Sequence, residues 1–305
     1  MKVFTNKKKM RGYREFLYIL PFIILVAIFA YYPLYGWAYA FFDYKPPKAL
    51  SMDDFVGLKW FRYLVDNPVR IKQTLMVLRN TFAMSGLTIL FSWLPMIFAV
   101  FLNEIKCMPF RKFVQTVTTL PNFISWVLVF SICYCMFNST GMANSLLIQM
   151  GVLEKPIAFL QSSNHIWLKM WLCTWKSLGW SAIMYIAAIS GIDAELYEAA
   201  KVDGATRMQL IWNITIPSLL PTYFVLLMLN IANFLSNGME QYYVFQNAFN
   251  MDTIQVLDLY VYNLAMGSGS YSVSTALSML KSLISVILLC GANTLSKVLR
   301  GDGFI

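Results

Sequence analysis

The feature that most limits the fold of this chain is a run of 26 residues without a charge, Leu17 to Phe42. Five further runs are nearly as apolar. A helix needs about 20 such residues to cross the roughly 30 Å hydrocarbon core of a bilayer. Lipid offers the backbone no hydrogen-bond partners, so apolar runs of this length span as helices. We therefore predict an all-α polytopic membrane protein with six transmembrane helices, at residues 17–41, 80–103, 113–137, 166–191, 219–238 and 272–296.

The composition supports a membrane protein, and the distribution of the basic residues predicts its orientation in the membrane. Apolar residues make up 58% of the chain and charged residues 13%, against about 25% charged in soluble domains. Segments 1–16, 104–112, 192–218 and 297–305 hold thirteen of the 24 lysines and arginines. Loop 43–79 holds seven more, but long loops weigh less in the positive-inside rule. Both termini are therefore predicted to be cytoplasmic, with one domain, 1–305, made of segment 1–16, a six-span core 17–296 and a tail 297–305.

Two apolar segments outside these spans are predicted to lie at the membrane surface. The sequence FVGLKWFRYLV, within loop 43–79, has the alternation of an amphipathic helix. Residues 138–153 are apolar too, but Asn138 to Gly141 interrupt them and leave only enough for an interfacial helix.

The residues that carry catalytic or metal chemistry are few and scattered. Four of the five cysteines lie in apolar runs, and the single histidine, His165, is distant in sequence from Cys133 and Cys135. No metal site and no nucleophile–base pair can be assembled from them. The basic N-terminal run precedes an apolar span, which favours a membrane anchor over nucleic-acid binding. The sequence therefore predicts neither an enzyme nor a chain with its own cofactor.

The stretch between the fourth and fifth spans is polar and is interrupted by a glycine and two prolines. It is residues 198–221, EAAKVDGATRMQLIWNITIPSLLP. Ala194 to Val202 predicts a helix, Asp203-Gly204 a turn, and Ala205 to Thr215 a second helix. Pro217 and Pro221 then mark the entry into the fifth span. Shape alone is compatible with a docking element and, more often, with a plain interhelical loop.

The spacing of this stretch resembles the signature of permeases from binding-protein-dependent ABC importers, EAA---G---------I-LP. Six residues fall in register: Glu198, Ala199, Ala200, Gly204, Ile214 and Pro217. Asp203 belongs to a flanking DGA sequence typical of the sugar importers, whereas Ile216 stands where leucine is usual. The segments GMEQYYVFQNAF (238–249) and LDLYVYNLAMGSGSYSVSTALSML (257–280) resemble the branch of the maltose and multiple-sugar transporter family that imports complex oligosaccharides, aldouronates among them.

The resemblance implies a type I ABC importer permease in the bacterial cytoplasmic membrane. In that family, the loop corresponding to 192–218 is a coupling helix seated on a cytoplasmic ATPase dimer, which binds ATP and magnesium. This sequence has no GxxxxGK[ST] motif, so ATP hydrolysis is expected on a separate chain. The other expected partners are a second homologous permease, an extracellular sugar-binding lipoprotein, the oligosaccharide and membrane lipid, with no nucleic acid.

Candidate residues of the substrate path lie in the fourth and fifth spans. Asn230, Asn233 and Asn237 recur at i, i+3 and i+7, which predicts one helix face, with Phe234 beside them. Amides in a span face either a water-filled cavity or another helix, and the residues alone leave both open. The resemblance favours the cavity, because sugar-importer permeases bind substrate with this part of the helix. The resemblance also aligns Lys176 and Trp180 with cavity-lining positions of the family, by the number of residues that separate them from Glu198 in the sequence.

Three ionisable groups are expected at or near membrane depth: Lys176, Glu240 and Lys281. We hypothesise that Lys176 pairs with a substrate carboxylate while Trp180 stacks on a sugar ring. The alternatives are that Lys176 snorkels or pairs with Glu240, and that Glu240 pairs with Lys281. An ion-coupled secondary transporter of a small polar solute is the competing function, although no inverted repeat is apparent.

Overall fold

The computed structural model describes residues 15–160 and 164–300. Within these ranges the chain is helical, as predicted, with one isolated antiparallel bridge between Phe42 and Phe55 in place of a sheet. Residues 1–14 of the predicted N-terminal segment and 301–305 of the predicted tail lie outside them. The helices are α1 Glu15–Phe41, α2 Lys59–Asp66, α3 Pro68–Leu90, α4 Leu94–Asn103, α5 Met108–Thr119, α6 Trp126–Phe137, α7 Met142–Gln149, α8 Ile166–Leu172, α9 Trp175–Ser190, α10 Ala194–Val202, α11 Arg207–Ala232, α12 Glu240–Phe245, α13 Met251–Ile254, α14 Leu257–Tyr262 and α15 Tyr271–Arg300.

Five helical segments among the described residues are long and apolar enough to cross a membrane, and a sixth arises if one bent pair counts as a span. The bent pair is α9 and α10, which meet at 69°. The five segments are Glu15–Phe41, Pro68–Asn103, Trp126–Gln149, Arg207–Ala232 and Tyr271–Thr294. The structure therefore agrees with the prediction of a helical membrane protein, with five to six apolar helices.

The third and fourth predicted spans are not continuous helices. Residues 113–137 divide into α5 and α6, separated by a 3-10 turn, Leu120–Phe123, that contains Pro121. Proline cannot donate the backbone hydrogen bond that an α-helix needs, and α6 restarts where the Ser125 hydroxyl accepts a hydrogen bond from the Leu128 N–H at 3.4 Å. Residues 166–191 likewise divide into α8 and α9.

The fifth predicted span, 219–238, is displaced toward the N-terminus. Helix α11 already begins at Arg207 and runs through Pro217 without a break. Residues Ile211–Thr215 are π-helical, and this wider turn lies just before Pro217. The helix ends at Ala232, and the Ser236 N–H bonds to the Asn233 carbonyl at 2.8 Å in the turn that follows. The predicted common helix face of Asn230, Asn233 and Asn237 is therefore wrong.

The chain divides into two compact units. One comprises the described residues up to Arg70 together with Asn263–Leu280. It contains α1, whose large apolar side chains are exposed, as Phe22 (68%) and Phe29 (74%) illustrate. Exposing this apolar surface to water would have a high free-energy cost, so α1 is suited to contact with lipid. The amphipathic helix predicted in loop 43–79 is confirmed as α2, with Leu64 as its buried residue.

The other unit comprises Ile71–Tyr262 and the described residues from Lys281 onward. Its described residues include the following two hydrophobic clusters. One joins α4, α9 and α11 through Met96, Ala182, Tyr185 and Leu219, all buried. The second is built from residues of α3, α8 and the segment 242–259, with Val256 and Leu259 fully buried. The first cluster holds the helix that precedes α10 and the helix that follows it, and so fixes where both ends of the loop at 191–206 emerge.

Candidate functional site

The helix predicted at Ala194–Val202 is present with the predicted turn at its end. The Asp193 carboxylate accepts the Glu195 N–H at 3.0 Å and caps the first turn of α10. At the other end, the Ala205 N–H donates to the Ala200 carbonyl at 2.9 Å and the Gly204 N–H to the Lys201 carbonyl at 3.1 Å. These two bonds form a Schellman cap, which requires a left-handed residue after the helix. Gly204 supplies it with φ +79°.

The chain then turns directly into α11. The Gln209 side-chain oxygen accepts the N–H of Thr206 at 2.7 Å, which satisfies a backbone donor at the start of the helix. The hydroxyls of Tyr197 and Thr215 lie 2.9 Å apart and join α10 to the π-helical part of α11. Sequence reasoning did not select Tyr197, because its partner is eighteen residues away and neither residue belongs to the signature.

The residues of the signature lie on an exposed surface. Glu198, Ala199, Asp203, Gly204 and Pro217 are exposed, whereas Ala200 and Ile214 are half-buried. Large apolar side chains of the same stretch are also exposed, including Val202 at 88% on α10 and Trp212 at 61% on α11. A rigid, capped helix with exposed apolar side chains has the character of a protein-docking element.

A cavity of about 470 Å³ lies among α3, α4, α8, α9 and α11 in the same unit. Its apolar walls include the aromatic rings of Phe91, Trp171 and Trp180. The Phe91 and Trp171 rings pack with centroids 4.3 Å apart, and Trp180 stands edge-on to Phe123 at 5.6 Å. Aromatic walls of this kind can pack against the C–H faces of a ring-shaped ligand.

The polar groups of the cavity are hydroxyls and one amide. Hydroxyls at Thr174, Ser177, Ser181 and Tyr185 recur with helical spacing along α9 and its N-terminal boundary, and Asn230 faces the cavity from α11. The spacing of these hydroxyls is visible in the sequence, but the sequence analysis selected the asparagines of the fifth span instead. None of the described residues that line the cavity carries a charge at neutral pH. The cavity can therefore donate and accept neutral hydrogen bonds but offers no ion pair.

Of the predicted substrate-path residues, Asn230 and Trp180 line this cavity and the others do not. The Asn233 amide donates to the Leu229 carbonyl of its own helix at 2.9 Å. The Asn237 amide donates to the Ser85 hydroxyl of α3 at 2.9 Å, the interhelical arrangement that the sequence had left open. Phe234 packs against Phe82 at 5.3 Å. Glu240 is exposed in the first turn of α12.

Lys176 lies away from the cavity. Its side chain is buried, with 9% exposure, and Nζ donates to the Asn122 carbonyl at 2.9 Å. The same ammonium lies 5.1 Å from the centre of the Trp126 ring. The break between α5 and α6 frees the Asn122 carbonyl from helical bonding, and a buried ammonium needs such an acceptor. Lys176 therefore contacts this carbonyl rather than Glu240, the partner considered as an alternative from the sequence, while its pairing with a substrate carboxylate stays a prediction.

Lys281 forms an ion pair, but with Asp258 rather than with Glu240, the partner considered as an alternative from the sequence. Both side chains are 18% exposed. The second carboxylate oxygen of Asp258 accepts the Gly238 N–H at 2.9 Å, so one aspartate joins α14, α15 and the turn after α11. Asp258 lies in the segment LDLYVYN, which sequence reasoning used only for its resemblance.

The comparisons agree with this architecture. A family model described as the binding-protein-dependent transport system inner membrane component matches residues 92–299. The chain belongs to this family, and it is a multi-pass permease subunit of an ABC transporter.

Several of the similar proteins are named as transporters of saccharides. The chain is 36% identical over 293 residues to the polygalacturonan/rhamnogalacturonan transport system permease protein YteP of Bacillus subtilis (strain 168), covering 94% of this chain and 89% of YteP. A crystal structure of a bacterial ABC transporter involved in the import of the acidic polysaccharide alginate matches with 31% identity and a TM-score of 0.83, covering 98% of this chain and 100% of that one. A structure of a bacterial alginate ABC transporter with an alginate pentasaccharide-bound periplasmic protein matches with 31% identity and a TM-score of 0.84, over 97% and 98% of the two chains.

Proposed function

We propose that this chain forms half of the translocation path of an ATP-driven importer for oligosaccharides, with uronate-containing polysaccharide fragments as the substrate class. The observation that carries the proposal is the exposed, doubly capped loop in which Glu198 and Gly204 occupy the signature positions of an ABC permease. The named substrates of the similar transporters, polygalacturonan, rhamnogalacturonan and the acidic polysaccharide alginate, supply the substrate class.

The partners follow from the same loop. We infer that α10, seated on a cytoplasmic ATPase dimer that binds ATP and Mg²⁺, transmits its closure to α9 and α11. A second homologous permease would complete the path, and an extracellular sugar-binding protein would deliver the oligosaccharide. In this topology six spans leave both termini in the cytoplasm, and the loop after α1 and the turn before α15 are extracellular.

The cavity beside α9 and α11 suits the passage of a sugar. Trp171 and Trp180 offer faces for ring C–H groups, and the α9 hydroxyls with Asn230 offer neutral hydrogen bonds to sugar hydroxyls. Uncharged, multiple and individually weak contacts favour transit over retention, because a site on a transport path has to release its ligand.

The class of transporter is tested by uptake into proteoliposomes that contain the full complex. Oligosaccharide uptake is expected to require ATP on the ATPase side and the binding protein on the other. Uptake driven by a proton or sodium gradient without ATP would overturn the proposal and support the ion-coupled alternative.

The substrate path is tested with matched variants. Trp175 and Trp180 lie on the same helix with 50% and 49% exposure, and of the two only Trp180 lines the cavity. We expect Trp180→Ala to lower uptake about tenfold, the scale of one lost aromatic contact, with Trp175→Ala near wild type. Asn230→Leu is expected to lower uptake, and Asn233→Leu to leave it unchanged. Equal effects within either pair would contradict the assignment of this cavity.

The coupling role has its own matched pair. Glu195 and Glu198 are exposed carboxylates three residues apart on α10, and Glu198 belongs to the signature. We expect Glu198→Gln to lower substrate-stimulated ATP hydrolysis and uptake together while the complex still assembles. Glu195→Gln is the control, and an equal loss in both variants would indicate only a general charge effect.

A further inference from the structure

The hydroxyl groups of the cavity beside α9 differ in whether the protein already binds them. The described lining of this cavity lies entirely in the unit that comprises Ile71–Tyr262 and the described residues from Lys281 onward. Its hydroxyl-bearing side chains are Thr88, Ser92, Thr174, Ser177, Ser181 and Tyr185. The proposed function gives the hydroxyls of α9 a common role, but their hydrogen bonds within the protein separate them into two groups.

Four of these hydroxyls are engaged by the protein. Those of Thr88, Thr174 and Ser177 donate to backbone carbonyls three or four residues earlier in the chain, at 3.0, 2.6 and 3.0 Å. Having donated their single proton, these three can accept a further hydrogen bond but cannot donate one. The Ser92 hydroxyl shares a hydrogen bond of 3.1 Å with the hydroxyl of Tyr223.

The hydroxyls of Ser181 and Tyr185 form the second group, because no hydrogen bond joins either of them to another described residue. Neither is among the described side chains whose unpartnered polar atoms are sealed from solvent, so both hydroxyls open into the cavity that they line. Tyr185 is only 2% exposed. A buried hydroxyl without a partner is unfavourable once water leaves. A ligand that fills the cavity therefore has to bond to it.

The two hydroxyls are placed to act together. Ser181 and Tyr185 lie one helical turn apart on the same face of α9, where Cβ atoms are about 5–6 Å apart. This spacing lets both hydroxyls reach oxygen atoms of the same or of adjacent sugar units. The Tyr185 ring is held in the buried cluster with Met96, Ala182 and Leu219, so its hydroxyl is positioned before a ligand enters.

We propose that Ser181 and Tyr185 form the hydrogen-bonding subsite of this cavity and donate their hydroxyl protons to oxygen atoms of the saccharide. The inference rests on the proposed function, which supplies the saccharide, and it assigns the recognition of sugar oxygens to these two side chains. Both donors are neutral, so the subsite binds the hydroxyl and ring oxygens that acidic and neutral saccharides share. It selects a hydroxylated ring and does not select its charge.

The test is equilibrium binding of saccharides to the purified full complex in nanodiscs, without ATP and without the sugar-binding protein. The probes are trigalacturonate and its carboxyl-reduced, neutral counterpart. We expect Tyr185→Phe and Ser181→Ala each to raise the dissociation constant about fivefold for both probes, the scale of one neutral hydrogen bond. A loss confined to the acidic probe overturns the proposal, because the two hydroxyls would then hold a carboxylate.

The chain offers a matched control for each variant. The Tyr223 hydroxyl is engaged by Ser92, and the Ser190 hydroxyl on α9 donates to the Ile186 carbonyl at 2.9 Å. Neither Tyr223 nor Ser190 belongs to the described lining of the cavity. We expect Tyr223→Phe and Ser190→Ala to bind both probes as the wild type does. Wild-type affinity in Tyr185→Phe, an equal loss in Tyr223→Phe, or no binding of either probe by the wild type overturns the proposal.

Thermal unfolding separates a direct contact from a structural effect. Tyr185→Phe removes no hydrogen bond between described residues, so its midpoint should equal that of the wild type. Tyr223→Phe removes the bond to Ser92 and should unfold at a slightly lower temperature. The subsite therefore predicts that Tyr185→Phe weakens binding without a change in stability. A loss of affinity and stability together in Tyr185→Phe identifies a structural role and contradicts the subsite.

Failure of this inference is distinguishable from failure of the proposed function. If uptake requires ATP and the binding protein while Tyr185→Phe and Ser181→Ala bind both probes normally, the proposed function stands and the inference fails. If these two variants lose affinity as expected while uptake is driven by an ion gradient without ATP, the subsite stands and the importer assignment fails.

Discussion

Substituting Gly179 with alanine tests how closely α9 packs against the end of α5. A Cβ at this position would lie 2.3 Å from the Thr118 carbonyl oxygen, 2.4 Å from its carbonyl carbon and 2.9 Å from the Thr119 nitrogen. Favourable contacts between such atoms begin near about 3.5 Å. The two backbones therefore have to separate by about 1 Å, a displacement that already forfeits a quarter to half of each neighbouring dispersion contact.

We expect Gly179→Ala to destabilise the protein by about 3 kcal/mol, the upper end of the usual cost of overpacking, because the obstacle is backbone rather than a movable side chain. At roughly 2–4 °C per kcal/mol, the midpoint of thermal unfolding should fall by about 6–12 °C. Gly179 is flanked by the cavity-lining residues Leu178 and Trp180, so uptake should fall as well, even at temperatures where the variant remains folded.

Gly86→Ala in α3 is the control. A Cβ there meets nothing within 4 Å, and alanine in a helix interior is favoured over glycine by about 0.5–1 kcal/mol. Thermal unfolding of both purified variants, followed by the loss of monodisperse protein on size-exclusion chromatography, measures the difference. A Gly179→Ala midpoint equal to that of Gly86→Ala would refute the close approach of α5 and α9.

Three further predictions concern the coupling loop and the ion pair. Gly204→Val should preserve assembly, since a Cβ there meets open space, but lower coupled ATP hydrolysis through backbone strain of about 1–2 kcal/mol; Gly204→Asn, which tolerates a left-handed backbone, should retain most activity. Tyr197→Phe removes the hydroxyl bonded to Thr215 and should lower the number of sugars moved per ATP without preventing assembly; an unchanged ratio would refute this role. Lys281→Met leaves the Asp258 carboxylate uncompensated and should cost about 3 kcal/mol in thermal stability; adding Asp258→Asn should recover part of the loss, whereas additive losses would argue against the pair.

Local sequence determined the helix–turn–helix of the coupling loop. Asp193 caps the helix, good helix formers fill it, and Gly204 ends it, all within a dozen residues. Each of these effects acts between neighbours in the chain, so propensity and turn chemistry suffice to predict them. The apolar runs of α1 and α15 were predictable for a similar reason, since hydropathy depends on composition rather than on contacts.

The helix interruptions were less predictable, because several local signals compete. Pro121 breaks one predicted span, yet Pro217 and Pro221 lie within a continuous helix. Before Pro217 the turn is widened, since Ile211–Thr215 is π-helical. Helix α11 also packs against α4 and α9, and a window of local sequence does not contain these contacts.

The partners of the polar side chains were decided only by the tertiary structure. A lysine in an apolar span must find an acceptor, and the sequence alone established that need for both Lys176 and Lys281. Which acceptor each one found, the Asn122 carbonyl and the Asp258 carboxylate, depends on segments 54 and 23 residues away in the chain. Periodicity places a residue on one face of its own helix, but the end of the helix and the neighbour that each face meets are set by the packing of all the helices. Asn230 therefore lines the cavity from α11, whereas Asn237, beyond the end of that helix, binds Ser85.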